Sequence, residues 1–261
     1  MKKILITGAN SYIGTSFEKY IKENYPNDYI VDTVDMIDGS WREKSFAGYD
    51  SVFHVAGIAH QKETKENAPL YYKVNRDLAI ETAEKAKRDG VKQFVFLSSM
   101  SVYGMDTGVI TKDTLPNPKS NYGKSKLQAE VGINALSDDT FKVCALRPPM
   151  VYGEGCKGNY QTLVSIAKKF PVFADYNNQR SMIHIDNLSR FVKCVMDQGL
   201  FGVYFPQDPE YVCTCKMVQS IAKDMGKSMR LCKILNPFVS ILKHCTTKGR
   251  KAFGDLIYKA E

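Results

Sequence analysis

No hydrophobic run in this 261-residue chain approaches the length of a membrane-spanning helix, which needs about 20 apolar residues. The apolar run behind the N-terminus, Ile4-Leu5-Ile6, gives way to Thr7 and Gly8. That is too short for the core of a signal peptide, and a cytoplasmic location is expected. Histidine is scarce, with four scattered residues, so a metal centre is not expected. The seven cysteines are odd in number and lack paired spacing, and Cys213-Thr214-Cys215 has no second pair. This excludes a disulfide scaffold and predicts reduced thiols. Internal repeats and low-complexity segments are also missing.

Positive charge is plentiful. The net charge of +8 suits an anionic small ligand, a nucleic acid or an anionic membrane surface. The lysines are interspersed with acids, which reads as a solvated basic surface, and no nucleic-acid partner is expected. A composition of 44% hydrophobic and 25% charged residues is that of a globular protein. The length fits one large α/β domain with a small cap.

Along the chain, strand-like and helix-like patterns alternate. Residues 3–7 form a short apolar run, followed by Gly8-Ala9-Asn10-Ser11-Tyr12-Ile13-Gly14. Ile13, Phe17, Tyr20 and Ile21 then fall at helical spacing. A strand feeding a glycine-containing turn at a helix N-terminus predicts a dinucleotide pyrophosphate site. Gly8 permits the turn, Gly14 lets the helix approach the sheet, and Ser11 offers a hydroxyl where a full glycine motif has its middle glycine. Residues 29–34 read as a second strand ending at Asp35, whose carboxylate suits ribose hydroxyls and repels a 2′-phosphate. Asp32 and Asp38 are rival candidates, and Arg42 is the nearby cation that would reverse the preference.

Further strands are expected at 50–57, 91–97 and 141–146, with a helix over 67–88 containing Asn75. Ser98-Ser99-Met100-Ser101 follows the 91–97 strand at its carboxyl end, where parallel sheets bind ligands. The other reading of these hydroxyls is a serine-rich turn. Residues 105–119 read as a polar loop. The alternation up to Gly153 predicts a doubly wound parallel sheet. Beyond it, a helix over 162–170, a short strand at 179–186 with Asp186 capping a helix to about 196, small strands at 202–205 and 229–235, and a helix near 214–225 suggest a cap. The chain is thus read as a nucleotide-binding domain over 1–153 and a mainly cap segment over 154–261, some elements of which return to the main domain. The 236–261 tail reads as a cap helix, or as an amphipathic basic helix for a membrane or partner.

Ser120-Asn121-Tyr122-Gly123-Lys124-Ser125-Lys126 starts a helix with Ser120 as its N-cap. Tyr122 and Lys126, four residues apart, share one face. At about 6 Å and an effective dielectric of about 20, the ammonium favours phenolate by roughly 3 kcal/mol. That predicts a tyrosine more acidic than usual, suited to general acid/base work.

Together these residues resemble the extended short-chain dehydrogenase/reductase family, in its NAD-dependent sugar-nucleotide epimerase/dehydratase branch, over roughly residues 3–205. Thr7-Gly8 through Gly14 is similar to its T-G-x-x-G-x-x-G, and His54-Val55-Ala56-Gly57 to its H-x-A-[AG] strand end. Tyr122 and Lys126 match Y-x-x-x-K. Residues 147–153 resemble R-P-x-x-V-Y-G, and 180–186 resemble R-D-x-x-H-V-x-D with Ser181 in place of aspartate. The resemblance implies a Rossmann-type doubly wound sheet with a C-terminal substrate-binding cap. It implies catalysis by Ser99, Tyr122 and Lys126. Cofactor contacts would come from Gly8, Ser11, Tyr12, Ile13, Gly14, Asp35, Ala56, Gly57, Asn75, Tyr122, Lys126 and Pro149. Substrate contacts would come from Ser99, Ser101, Tyr122, Asn159 and Arg180, the last on a nucleotide diphosphate, with a salt bridge to Asp186 or Asp175 as the other reading. NAD rather than NADP is the expected cofactor and a nucleotide-diphosphate sugar the expected partner, with room for a homodimer. The implied activity is epimerisation at C4 of an NDP-sugar. The alternatives are an NAD(P)H-dependent 4-keto-sugar nucleotide reductase of surface-polysaccharide synthesis, and a non-enzymatic NAD(P) sensor. Met100 and Ser101 stand where the sugar dehydratases carry an acid pair, so 4,6-dehydration is not expected.

Overall fold

The computed structural model describes residues 1–59, 61–156 and 158–259. In chain order the elements are β1 (Lys2–Thr7), α1 (Tyr12–Asn24), β2 (Tyr29–Val34), β3 (Ser51–His54), α2 (Ala68–Tyr71), α3 (Leu78–Arg88), β4 (Gln93–Leu97), β5 (Gly108–Ile110), α4 (Asn121–Asn134), β6 (Lys142–Leu146) and β7 (Met150–Tyr152). There follow α5 (Asn159–Lys169), β8 (Val172–Ala174), β9 (Met182–His184), α6 (Ile185–Gln198), β10 (Gly202–Tyr204), α7 (Thr214–Asp224), β11 (Arg230–Cys232), α8 (Asn236–Cys245), α9 (Thr247–Phe253) and β12 (Leu256–Tyr258). A π-helical stretch, Tyr72–Asp77, joins α2 to α3, and Met100–Tyr103 form a 3-10 turn after β4.

The chain divides into two compact units. The first comprises residues 1–104, 116–149 and 184–206. Its six strands lie in the order β10-β6-β4-β3-β1-β2, all parallel. Side chains alternate between the sheet's faces, as the strand period requires. Leu5, Val52, Phe94, Phe96 and Ala145 pack with Ala79, Ala83, Ala129 and Ile133 of α3 and α4. Phe53, one position out of phase with Val52, meets Phe17 of α1 at a ring separation of 5.3 Å. Helices therefore cover both faces, and the Rossmann-type doubly wound sheet expected from the sequence is present.

The second unit comprises residues 105–115, 150–183 and 207–261. In it β5 pairs with β12 and β8 with β11. Leu163, Ala167, Val218, Ile221 and Met229 form a core between α5 and α7. Asn178 fastens the start of α7, accepting from Thr214 N at 2.9 Å and donating to Thr214 Oγ1 at 3.1 Å.

The units cross residue 153 in both directions. Strand β10 returns to the main sheet because its backbone completes the edge of β6, with Gly202 opposite Cys144. Residues 105–115, read as loop, leave for the second unit because β5 finds its partner nearly 150 positions later, in register Gly108 to Leu256. Helix α6 is capped by His184 rather than Asp186: the His184 backbone is extended, and its Nδ1 accepts from Asp186 N at 3.3 Å. Asp186 sits in the first turn, where its charge suits the helix dipole.

Candidate active site

The carboxyl ends of β1, β3 and β4 bring the expected groups of the first unit together. Gly8 follows β1 with φ of +110°, a conformation that disfavours any side chain, and a Cβ there would lie 2.7 Å from Ala56 N. The turn is fixed by Gly8 N and Ala9 N, which donate to Val34 O at 3.0 and 3.1 Å. Ser11 caps α1, its Oγ accepting from Gly14 N at 3.1 Å. That bond uses an oxygen lone pair and keeps the hydroxyl proton available to a phosphate oxygen. Gly14 sits so close to the sheet that a Cβ would come within 3.1 Å of Ile6 and Val55 side chains. The first turn of α1, which includes Tyr12 and Ile13, holds no acid, so the positive end of the helix is uncompensated.

Three carboxylates compete for the ribose role. Asp32 Oδ2 accepts from Tyr49 OH at 2.7 Å, and Asp38 Oδ1 accepts from Ser40 N and Oγ at 3.0 and 2.7 Å. Asp35 directly follows β2, is exposed, and gives one oxygen to Ile37 N at 2.8 Å. Arg42 is taken up by Glu81 through two bonds of 2.5 and 2.6 Å and lies over the Trp41 ring. An open helix N-terminus, a glycine cradle and a carboxylate after β2 together fit a dinucleotide whose ribose carries no 2′-phosphate.

His54 ends β3 as a fully buried core residue. Its Nδ1 shares a 2.8 Å bond with Thr7 Oγ1, its ring stacks between Phe94 and Phe96, and burial holds its pKa down to about 3. It is neutral at every physiological pH. Asn75 is also buried. Its Oδ1 accepts from Ile58 N at 2.8 Å, and its Nδ2 donates to Ile58 O and Ser125 Oγ at 3.1 and 3.2 Å. The side-chain amide thus holds the loop that carries Ala56 and Gly57.

Ser99, Tyr122 and Lys126 converge. Ser99 caps the 3-10 turn, accepting from Ser101 N at 3.1 Å, and its side chain acts on the Tyr122 phenol to favour the ionised form. Ser101 itself is exposed and Met100 buried. Pro149 is buried beyond β6, next to Pro148, whose carbonyl accepts from Met100 N at 2.9 Å. Ser120 caps α4 as expected, accepting from Gly123 N at 3.1 Å. Lys126 is 4% exposed; its Nζ donates to Leu97 O at 2.9 Å, lies over the Phe96 ring, and stands 3.2 Å from the point where a Gly57 Cβ would be.

The acidities differ from the simple two-charge expectation. Burial pushes the Tyr122 phenol above its usual value; Ser99 opposes this and Tyr71 adds to it. Burial also brings Lys126 down to about 8, against the pull of Glu130. Desolvation outweighs the attraction in a site closed by Phe96 and Leu97. Lys126 is not among the influences on the phenol, which are burial, Ser99 and Tyr71.

In the second unit, Asn159 is the exposed first residue of α5. Arg180 donates from Nη1 to Gly254 O at 2.8 Å. The acids that act on it are Asp106 and Asp255, not Asp186 or Asp175, and burial lowers its pKa. Ser181 is buried; its Oγ donates to Gln207 Oε1 at 2.6 Å and accepts from Tyr258 N at 2.8 Å. Among the described residues no group of three or more His, Cys, Asp or Glu is placed to hold a metal ion.

The profile of the NAD dependent epimerase/dehydratase family matches residues 4–204. The chain belongs to the NAD-dependent epimerase/dehydratase family. A UDP-glucose 4-epimerase from Vibrio cholerae is 32% identical over 254 residues, covering 87% of this chain and 76% of that one. An N-acetyl-α-D-glucosaminyl-diphospho-ditrans,octacis-undecaprenol 4-epimerase from Escherichia coli O157:H7 is 28% identical, covering 87% and 73%. The fold matches that of UDP-glucuronic acid 4-epimerase from Bacillus cereus in complex with NAD, with a TM-score of 0.72 at 21% identity, over 96% of this chain and 94% of that one.

Within this member of the epimerase/dehydratase family, two parts of the site have no counterpart in the sequence reading. Glu63, in the loop after Gly57, accepts from Asn121 N at 2.9 Å and from Tyr122 N at 3.0 Å, tying that loop to the first turn of α4. Nothing in local sequence marks it. The other is a buried network beneath Ser99. Arg147 forms a fork on Glu130, with bonds of 3.1 and 2.5 Å, and donates to Tyr103 OH at 2.8 Å; Ser98 Oγ also donates to Glu130. Glu130 was findable: Tyr122, Lys126 and Glu130 recur at four-residue spacing on one helical face. Removing one partner of such a buried pair strands a charge, so this network fixes the Ser99 turn against α4.

Proposed function

We propose that the protein is an NAD-dependent 4-epimerase of a hexose carried on a diphosphate, with Ser99, Tyr122 and Lys126 as its catalytic residues. The observation that carries this reading is that Ser99, at the carboxyl end of β4, acts on the Tyr122 phenol to lower its pKa, with Lys126 buried one helical turn away. A sensor of NAD needs none of the three.

Tyr122 exchanges a proton with the C4 hydroxyl, through the phenol oxygen that Ser99 already engages. Ser99 then hydrogen-bonds the reacting sugar oxygen and holds it at the phenol. Lys126, with a pKa of about 8, keeps most of its charge near neutrality and favours the phenolate that accepts the C4 hydroxyl proton; the phenol so formed gives the proton back when the sugar oxygen is re-protonated. NAD, when bound, would supply a reversible hydride acceptor for C4. The α1 N-terminus and the Gly8 turn would hold its pyrophosphate and Asp35 its adenosine ribose.

Arg180 is assigned to the substrate diphosphate, since a guanidinium matches phosphate oxygens as a fork. By their names, the two relatives act on a nucleotide-linked and a polyprenyl-linked sugar diphosphate. What they share is a hexose on a diphosphate, and that is the substrate class proposed here. Met100 has no proton to donate and Ser101 is a weak acid, which supports epimerisation without 4,6-dehydration.

The test is incubation of the purified protein with catalytic NAD⁺ and either UDP-glucose or UDP-N-acetylglucosamine, followed by proton NMR. The C4 epimer should form without net production of NADH. Stoichiometric consumption of NAD(P)H with a 4-keto-sugar, and no epimer, would identify a reductase instead.

A further inference from the structure

The second unit presents an apolar stripe to solvent. Ile234, Phe238 and Ile241 recur at helical spacing along α8 and the turn before it, and they are 81%, 65% and 60% exposed; Leu242 beside them is 47% exposed. The opposite side of the helix is satisfied: Val239 packs with Ala174 and Phe253. The stripe is therefore a surplus of apolar surface that the unit's own core does not use. Contiguous exposed apolar side chains of this kind mark an interaction surface.

Charge decides what that surface fits. Between residues 226 and 259 stand eight lysines and arginines and a single acid, Asp255. This one stretch holds nearly all of the chain's net +8, and the remainder is close to neutral. The excess of cations over acids, though not the cations themselves, is thus gathered in this stretch, which differs from an evenly solvated basic surface. Lys233 and Lys248, which precede and follow the stripe in the chain, are exposed, as is His244, three residues after Ile241. No Asp or Glu occurs from 233 to 251. Branched aliphatic side chains and a phenyl ring flanked by cations suit acyl chains below anionic headgroups. Among the described residues no helix is long and apolar enough to cross a membrane, so such contact is peripheral.

We propose that the outer face of α8, with Ile234, Phe238, Ile241 and Leu242 as its apolar stripe and with Lys233 and Lys248 flanking it in the chain, docks on an anionic phospholipid bilayer. The apolar side chains enter the interface and the lysines meet the headgroups. Contact then depends on both parts, and added salt weakens the electrostatic one.

The experiment is co-sedimentation of the full chain with vesicles of phosphatidylglycerol and phosphatidylcholine, and with vesicles of phosphatidylcholine alone. The expected result is binding to the anionic vesicles, weakened at least about tenfold by Phe238→Asp with Ile241→Asp, and weakened again by Lys233→Glu with Lys248→Glu. These positions are exposed, so unchanged thermal stability is expected and is checked alongside. In a second readout, Phe238→Trp adds a tryptophan to the buried Trp41, and its emission should shift to the blue and be quenched by brominated lipid. Absence of binding to anionic vesicles overturns the proposal, as does equal binding by the Asp variants. It is also overturned if the Asp variants convert a dimer into a monomer without lipid, because a second copy then covers the face.

Discussion

Glu63 holds Tyr122 by its backbone: Oε1 accepts from the Tyr122 N–H at 3.0 Å while Oε2 accepts from the Asn121 N–H at 2.9 Å. A loop carboxylate thus satisfies two of the unpaired N–H groups at the start of α4. Glu63→Ala should lower kcat about tenfold and stability by about 1 kcal/mol, as loss of a helix cap does. NAD binding should change little. Steady-state kinetics beside a cofactor titration checks this, and unchanged kcat would leave Glu63 without a positioning role.

Lys126 gives a stability prediction opposite in sign to its catalytic value. Its pKa falls from the ordinary 10.5 to about 8 on folding, chiefly through burial. Between about 8 and 10.5 the unfolded chain therefore binds more protons, and stability rises with pH across that window. Below about 8 both states are charged and the full penalty is present. Lys126→Met should then raise stability at neutral pH by up to about 3 kcal/mol while abolishing turnover. Thermal melts of the cofactor-free protein at several pH values test it; equal pH dependence of wild type and variant would refute the buried-cation account.

Cofactor preference is expected to rest on Asp35 with Arg42 held away by Glu81. NAD(H) should bind at least about tenfold more tightly than NADP(H). Glu81→Gln, which loosens Arg42, should narrow that gap, and Asp35→Ala should narrow it further. Titration of both cofactors decides; tighter NADP(H) binding by the wild type would remove Asp35 from its role.

The first unit was legible in sequence because its determinants are local. Each strand is an apolar run, Gly8 turns where only glycine is comfortable, and Ser11 and Ser120 cap helices within a few residues of where they stand. The second unit was less legible because its strands are three residues long and pair across long separations, as β5 does with β12. Strands β5, β8 and β12 had no counterpart in the sequence pattern, while β9 and β11 fall inside the strands expected at 179–186 and 229–235. The acidity of Tyr122 was misjudged for a similar reason: spacing places Lys126 on the same face, but burial by Phe96 and Leu97 comes from other elements. Glu63 and the Arg147–Glu130 fork are tertiary in the same sense.

Arg180 is expected to serve the substrate rather than the cofactor. Arg180→Ala should cost roughly 2–4 kcal/mol in kcat/KM and leave NAD(H) affinity nearly unchanged. Because Nη1 also holds Gly254 O, some loss of stability is expected. Arg180→Lys separates the two effects: it can still donate to that carbonyl but lacks the fork for a diphosphate. Full activity in the lysine variant would show that Arg180 is only a structural donor.

The central claim is that the Tyr122 phenol carries the proton between sugar and protein. The most direct measurement compares wild type and Tyr122→Phe for formation of the C4 epimer from UDP-glucose by NMR, with NAD⁺ affinity measured on the same preparations. The change removes one oxygen and keeps the ring, so the phenylalanine variant should bind NAD⁺ normally and lose at least about three orders of magnitude in turnover. Epimer formation within about tenfold of wild type would contradict the account.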